Sequence, residues 1–85
     1  MVVMDISEVK EKVIEAVSRN ALFNADKVNE NSRIRRDHGI DSIRLVELVV
    51  DLEEEFDIEV DSASLTYENF ATIELITNYI MNKIS

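Results

Sequence analysis

The 85 residues contain no cysteine, no proline and one glycine, Gly39. Without cysteine there is no disulfide framework, no thiol nucleophile and no zinc–thiolate site. The scarcity of proline and glycine argues against a turn-rich β fold and for helices. Basic residues are also few: nine Lys and Arg face eighteen Asp and Glu, a formal net charge of −9. Nucleic acid is excluded as a partner on this balance, because a phosphate backbone needs a basic surface. No apolar run approaches the length of a membrane span, and the opening MVVMDISEVK has no long apolar core, so neither membrane insertion nor a secretory signal is expected. These absences fit a cytoplasmic protein.

What is present suffices for one modest core. Hydrophobic residues make up 46% of the chain, enough to fold, and the length suits a single domain over 1–85. The charge is unevenly spread. Asp41 to Asp61 holds nine acids and one base, Arg44, for a net −8, and the remaining nine acids and eight bases sum to −1. Such a stretch is either a solvated helix face or a docking face for basic partners.

Helical spacing of Ile6, Val9, Val13 and Val17 predicts a first helix over 5–19, with Asp5 or Ser7 as its cap. Residues 20–41 show no period and read as a long loop, which Leu22, Phe23, Val28, Ile34 and Ile40 would tack onto the core. A second helix is predicted from Ser42 to Phe56, with Asp41 as N-cap and Gly39 permitting the tight approach before it. A short helical piece near Ala63–Glu68, capped by Asp61 or Ser62, and a last helix after Thr72 complete the pattern. The fold class is therefore all-α: a small four-helix bundle with a long loop between helices one and two and a short third helix.

The second helix is apolar on two sides. At roughly 100° per residue, Leu45, Leu48, Val49, Leu52 and Phe56 form a core stripe, while Ile43, Val46, Val50 and Glu54 cluster opposite, beside Glu47. So small a bundle cannot bury both faces. Three aliphatics rimmed by acids, starting one residue after Ser42, point to an interaction surface, with a dimer interface as the structural alternative. Asp41 fills the capping role and frees the Ser42 hydroxyl to point outward, at a helix N-terminus that favours a phosphate. His38, the only histidine, reads as a structural or semi-exposed loop residue. There is no nucleophile elbow around Ser42 and no alternating ligand pattern in DLEEEFDIEVD, so neither a self-contained hydrolase nor a metal site is expected.

GIDSIRLVELVVDLEEEFDIEV resembles the second helix of acyl carrier proteins, which carry a G-x-D-S-(L/I/M) signature, a V-E-L run and an acidic ending E-E-E-F-(D/G)-(I/T)-x-(I/V). VNENSRI and ATIELITNYI resemble that family's loop before the signature and its last helix. The resemblance implies a carrier, not an enzyme. Ser42 would bear 4′-phosphopantetheine, installed from coenzyme A by a separate phosphopantetheinyl transferase, and Asp41 would cap the helix and take part in transferase recognition. Ile43, Arg44, Val46, Glu47, Val50 and Glu54 would meet acyl-loading and acyl-processing enzymes of fatty-acid, polyketide or related biosynthesis that present basic docking patches. The interior stripe would line a core open to an acyl chain. A free-standing monomer of bacterial type is implied.

Four residues depart from the family pattern: His38 stands where a leucine usually precedes the glycine, Arg44 where an acid or small polar residue is common, and Arg35 and Arg36 make the preceding loop basic. Aminoacyl and D-alanyl carriers share related patterns and are alternatives within the family. Outside it, the alternative is a small acidic helical interaction module, an adaptor or inhibitor without a prosthetic group.

Overall fold

The structure, a computed structural model, describes residues 4–84. Its elements are α1 (Ile6–Asn20), a 3₁₀ turn (Ala25–Lys27), α2 (Ile34–His38), α3 (Ser42–Phe56), a second 3₁₀ turn (Ser62–Ser64), α4 (Tyr67–Phe70) and α5 (Ile73–Ile84). The protein is all-α; among the described residues the only β pairing is an isolated bridge between Arg33 and Thr72.

The three long helices begin on side-chain caps that occupy an otherwise orphaned amide. Asp5 Oδ1 accepts from Glu8 N–H at 2.9 Å, Asp41 Oδ1 from Arg44 N–H at 3.0 Å, and Thr72 Oγ1 from Leu75 N–H at 3.1 Å. Helix α3 ends where Asp57 turns left-handed, φ 53°, and Ile58 N–H reaches back to the Glu53 carbonyl at 3.1 Å. That closure satisfies a last-turn carbonyl and stops the helix.

Helix α1 packs against α5 and α3, and α4 against α5. Val9, Val13 and Val17 from α1, Leu48 and Leu52 from α3, and Ile73, Ile76 and Ile80 from α5 are fully buried, joined by Phe70, Ile34 and Ile40. Each such side chain stabilises the fold by roughly 1.5–3 kcal/mol through removal from water.

The segment between α1 and α3 differs from the structureless loop read from the sequence. It contains a 3₁₀ turn and the five-residue α2, in which only Ile34 and His38 are buried. Two side chains facing inward are too few to show a helical period. Tertiary hydrogen bonds hold this segment instead: Ile34 N–H to Ala71 O at 3.0 Å, Ile73 N–H to Ser32 O at 3.4 Å, and Leu22 N–H to His38 O at 2.8 Å. Leu22 and Phe23 do not enter the core, contrary to expectation; they are 59% and 47% exposed. They lie over Gly39, which has φ +69° and terminates α2, and a Cβ there would stand 2.7 Å from Phe23 Cε1. Only glycine meets both the left-handed backbone and the close ring.

The third helical piece, expected as one run near 63–68, is two. Leu65 (φ −83°, ψ 72°) breaks the run between the 3₁₀ turn and α4, and Asn69 Nδ2 spans the break to Ser64 O at 2.8 Å. Asp61 is the residue before the 3₁₀ turn, but its side chain makes no capping hydrogen bond.

Candidate functional site

Ser42 is the first residue of α3 and is exposed. Asp41 accepts the Arg44 amide with its side chain and the Leu45 amide with its carbonyl, the latter at 2.8 Å. The Ser42 hydroxyl makes no hydrogen bond to any described residue. The first amides of a helix have no partner in its ladder and carry its partial positive charge. The result is an outward hydroxyl at the end of a fifteen-residue helix, on a backbone held by its neighbour's carboxylate. A phosphate placed at this end of the helix would meet the free N–H donors of its first turn.

The approach to Ser42 is tied down from behind. Ile40 is fully buried, and its carbonyl accepts a hydrogen bond from Tyr67 Oη at 3.0 Å. The Arg35 guanidinium lies over the Tyr67 ring, 5.6 Å from its centroid. The sequence reading missed Tyr67; it sits in a four-residue helix, 27 positions from its partner, and nothing in its neighbourhood signals the contact.

Of the two expectations for His38, a structural or a semi-exposed loop residue, the structure supports the first. His38 is the last residue of α2 and only 1% exposed. A carbonyl can only accept, so Nδ1–H donates to Phe23 O, at 3.3 Å, leaving Nε2 buried without a hydrogen-bond partner. The imidazole thus fastens the Phe23 turn and makes no hydrogen bond to Ser42. Among the described residues no group of His, Asp or Glu is placed to hold a metal ion.

On α3, Leu45, Leu48, Val49, Leu52 and Phe56 are buried, while Ile43, Val46 and Val50 are 72%, 47% and 45% exposed. The acids divide in the same way. Asp51 Oδ2 accepts from Asn20 Nδ2 at 2.8 Å, Glu53 Oε2 from Val60 N–H at 2.8 Å, and Glu55 pairs with Lys12 at 3.0 Å. Glu47 and Glu54 are exposed and make no ion pair or side-chain hydrogen bond to described residues. Arg44 is half-buried beside them. Starting one residue after Ser42, an exposed apolar strip of Ile43, Val46 and Val50 therefore lies beside two uncommitted carboxylates, Glu47 and Glu54.

Residues 11–80 match the family model described as "Phosphopantetheine attachment site". The chain is similar to the acyl carrier protein of Campylobacter lari, 40% identical over 75 residues covering 88% of this chain and 90% of the relative. It is 36% identical to the acyl carrier protein of Thermotoga maritima over 77 residues, 91% of this chain and 93% of the relative. It is 31% identical to that of Chlorobium phaeobacteroides over 80 residues, 94% of this chain and all of the relative. The match spans the long helices, the pinned segment and Ser42 together, and the chain belongs to the acyl carrier protein family, whose members are carriers rather than catalysts and whose prosthetic group is 4′-phosphopantetheine.

Proposed function

We propose that the protein carries acyl intermediates on a 4′-phosphopantetheine arm attached through Ser42, and delivers them to enzymes of fatty-acid, polyketide or related biosynthesis. The observation that carries this reading is the exposed, unengaged Ser42 hydroxyl at the start of a long helix whose cap is already filled by Asp41. When bound, the group supplies a thiol on a flexible arm, which holds acyl cargo as thioesters. The chain's own part is to present the oxygen, hold the helix start rigid and offer free amides to the phosphate.

Asp41 sets the helix start that a phosphopantetheinyl transferase would recognise. Ile43, Val46 and Val50 form the apolar contact for partner enzymes, and Glu47, Glu54 and Arg44 set orientation by charge. Partners with basic docking patches fit this surface. The protein acts as one carrier domain, a cytoplasmic monomer in this reading; no helix of the described residues is long and apolar enough to cross a membrane.

Incubation with coenzyme A, Mg²⁺ and a permissive transferase should add one phosphopantetheinyl mass to the intact protein, and none to Ser42→Ala. A modified Ser42→Ala protein overturns the site. An unmodified wild-type chain favours the interaction module without a prosthetic group.

A further inference from the structure

We propose that the groove beside α2 receives the carboxylate at the free end of cargo carried on Ser42, so that the protein favours acyl groups ending in an acid. The inference rests on Ser42 being the attachment point. In a chain with eighteen acids and nine bases, Arg33 and Arg35 form no ion pair among the described residues, and Arg36 has only its neighbour Asp37, at 3.4 Å. All three arginines are exposed, within four positions of one another.

They line a groove of about 570 Å³ with Tyr67 and Ala71. That is within the ordinary size of a small-molecule site, and its make-up is of the usual kind: an apolar or aromatic floor with a few placed polar groups. The Arg35 guanidinium carbon lies over the Tyr67 ring, 5.6 Å from its centroid. A guanidinium without an ion-pair partner keeps its N–H groups for a carboxylate, which can match them two by two. Tyr67, which lines the groove, also donates to the Ile40 carbonyl, two residues before Ser42.

Charge also selects the occupant. An acidic protein surface broad enough to reach the arginines would meet the Asp41–Asp61 segment, with its nine acids against one base, and be repelled. A second copy of this chain would bring the same acids. A single carboxylate on a tether avoids them, and tethering raises its effective concentration enough for a weak site to fill.

The test uses ¹⁵N-labelled protein loaded from coenzyme A thioesters with a five-carbon dicarboxylic half-acyl group, glutaryl, or with the neutral pentanoyl group. Both loads carry the same phosphate, so their difference isolates the carboxylate. Glutaryl loading should shift the amide signals of Arg33, Arg35, Tyr67 and Ala71, and pentanoyl loading should not. In Arg33→Gln with Arg35→Gln, the docked-to-undocked ratio should fall about fivefold or more, the equivalent of about 1 kcal/mol for an exposed ion pair. Equal spectra for the two loads, or glutaryl shifts that survive the double substitution, overturn the proposal. So does a double variant that loses association with enzymes but keeps its carboxylate-dependent shifts, which assigns the arginines to a protein partner. Intact mass is read first. If no arm is found on Ser42, the attachment reading is what fails, and titration of free glutarate into unmodified protein decides the groove. Arginine-dependent shifts at the same four amides then sustain the anion site, and their absence overturns it.

Discussion

Asn20, the last residue of α1, donates through Nδ2 to Asp51 Oδ2 at 2.8 Å and to Ala16 O at 2.9 Å. Asn20 is 8% exposed and Asp51 half-buried, so the contact ties the end of α1 to the middle of α3 where water cannot fully replace it. Substituting Asn20→Ala leaves a part-buried carboxylate without this donor and should cost about 1–3 kcal/mol in urea unfolding. Asn20→Asp sets two carboxylates together and should cost more at neutral pH, with part of the loss recovered in mild acid. Equal stability of all three proteins would mean that the pair is not formed in solution.

The two faces of α3 should differ sharply in what truncation does. Leu48→Ala or Leu52→Ala removes a fully buried side chain and should cost about 2–5 kcal/mol. Val46→Ala and Val50→Ala touch side chains that are nearly half exposed and should stay within about 0.5 kcal/mol or a little above. Chemical denaturation of the four variants checks the contrast. Similar losses on both faces, with a concentration-dependent midpoint, would make the outer face a contact between copies.

Both faces were legible in the sequence because the information is local. A 3.6-residue period, an Asp41 cap and an aromatic end at Phe56 all lie inside one run of sixteen residues, and α3 occupies the bounds that they mark. Helix α2 was not legible, since its first amide, that of Ile34, is held by Ala71, and its neighbour Ser32 by Ile73, partners about forty positions away in the chain. The same holds within the site. Ser42 and its cap announce themselves as neighbours, whereas Tyr67 under Arg35, and Asn20 against Asp51, meet only through the folding of the whole chain. For His38 the sequence left a structural and a semi-exposed role open, because the carbonyl that its ring meets, that of Phe23, lies fifteen positions away.

Acid should loosen α2 through Asp37. Its carboxylate accepts the Arg33 amide at 2.8 Å, and this bond, with Arg36 beside it, holds the Asp37 carboxyl below its ordinary value. A depressed folded-state value means that the contribution is complete above the unfolded-state value and is lost as pH falls through the folded-state one. Asp37→Asn should therefore weaken stability near neutrality and flatten the acid side of the stability–pH curve. Thermal midpoints measured across that range read the effect, and parallel curves for the two proteins would contradict it.

Glu47 and Glu54 should govern the rate at which partners arrive. Each exposed pair is worth only about 0–1 kcal/mol, and salt screens it over roughly 8 Å at physiological ionic strength. One reversal should act modestly; Glu47→Lys with Glu54→Lys should visibly slow association with a transferase and reduce its dependence on salt. An unchanged rate and salt dependence would leave the acids as a solvated face and shift docking to Arg44 and the α2 segment.

The uneven pinning between α1 and α3 makes the segment two kinds of chain in one. From Ser32 to Ile40 nearly every turn is fixed to another element, so a change of length there would be transmitted to the start of α3. Ala25, Asp26 and Lys27 are exposed, and the 3₁₀ turn they form closes on its own hydrogen bond, Lys27 N–H to Asn24 O at 2.9 Å. Extra residues inserted between Asp26 and Lys27 would loop outward at little entropic cost. The fold thus contains a permissive point for an epitope or fluorophore, on a stretch that shares no hydrogen bond with the capped helix start, and a carrier labelled there could be followed from partner to partner with its arm unaltered.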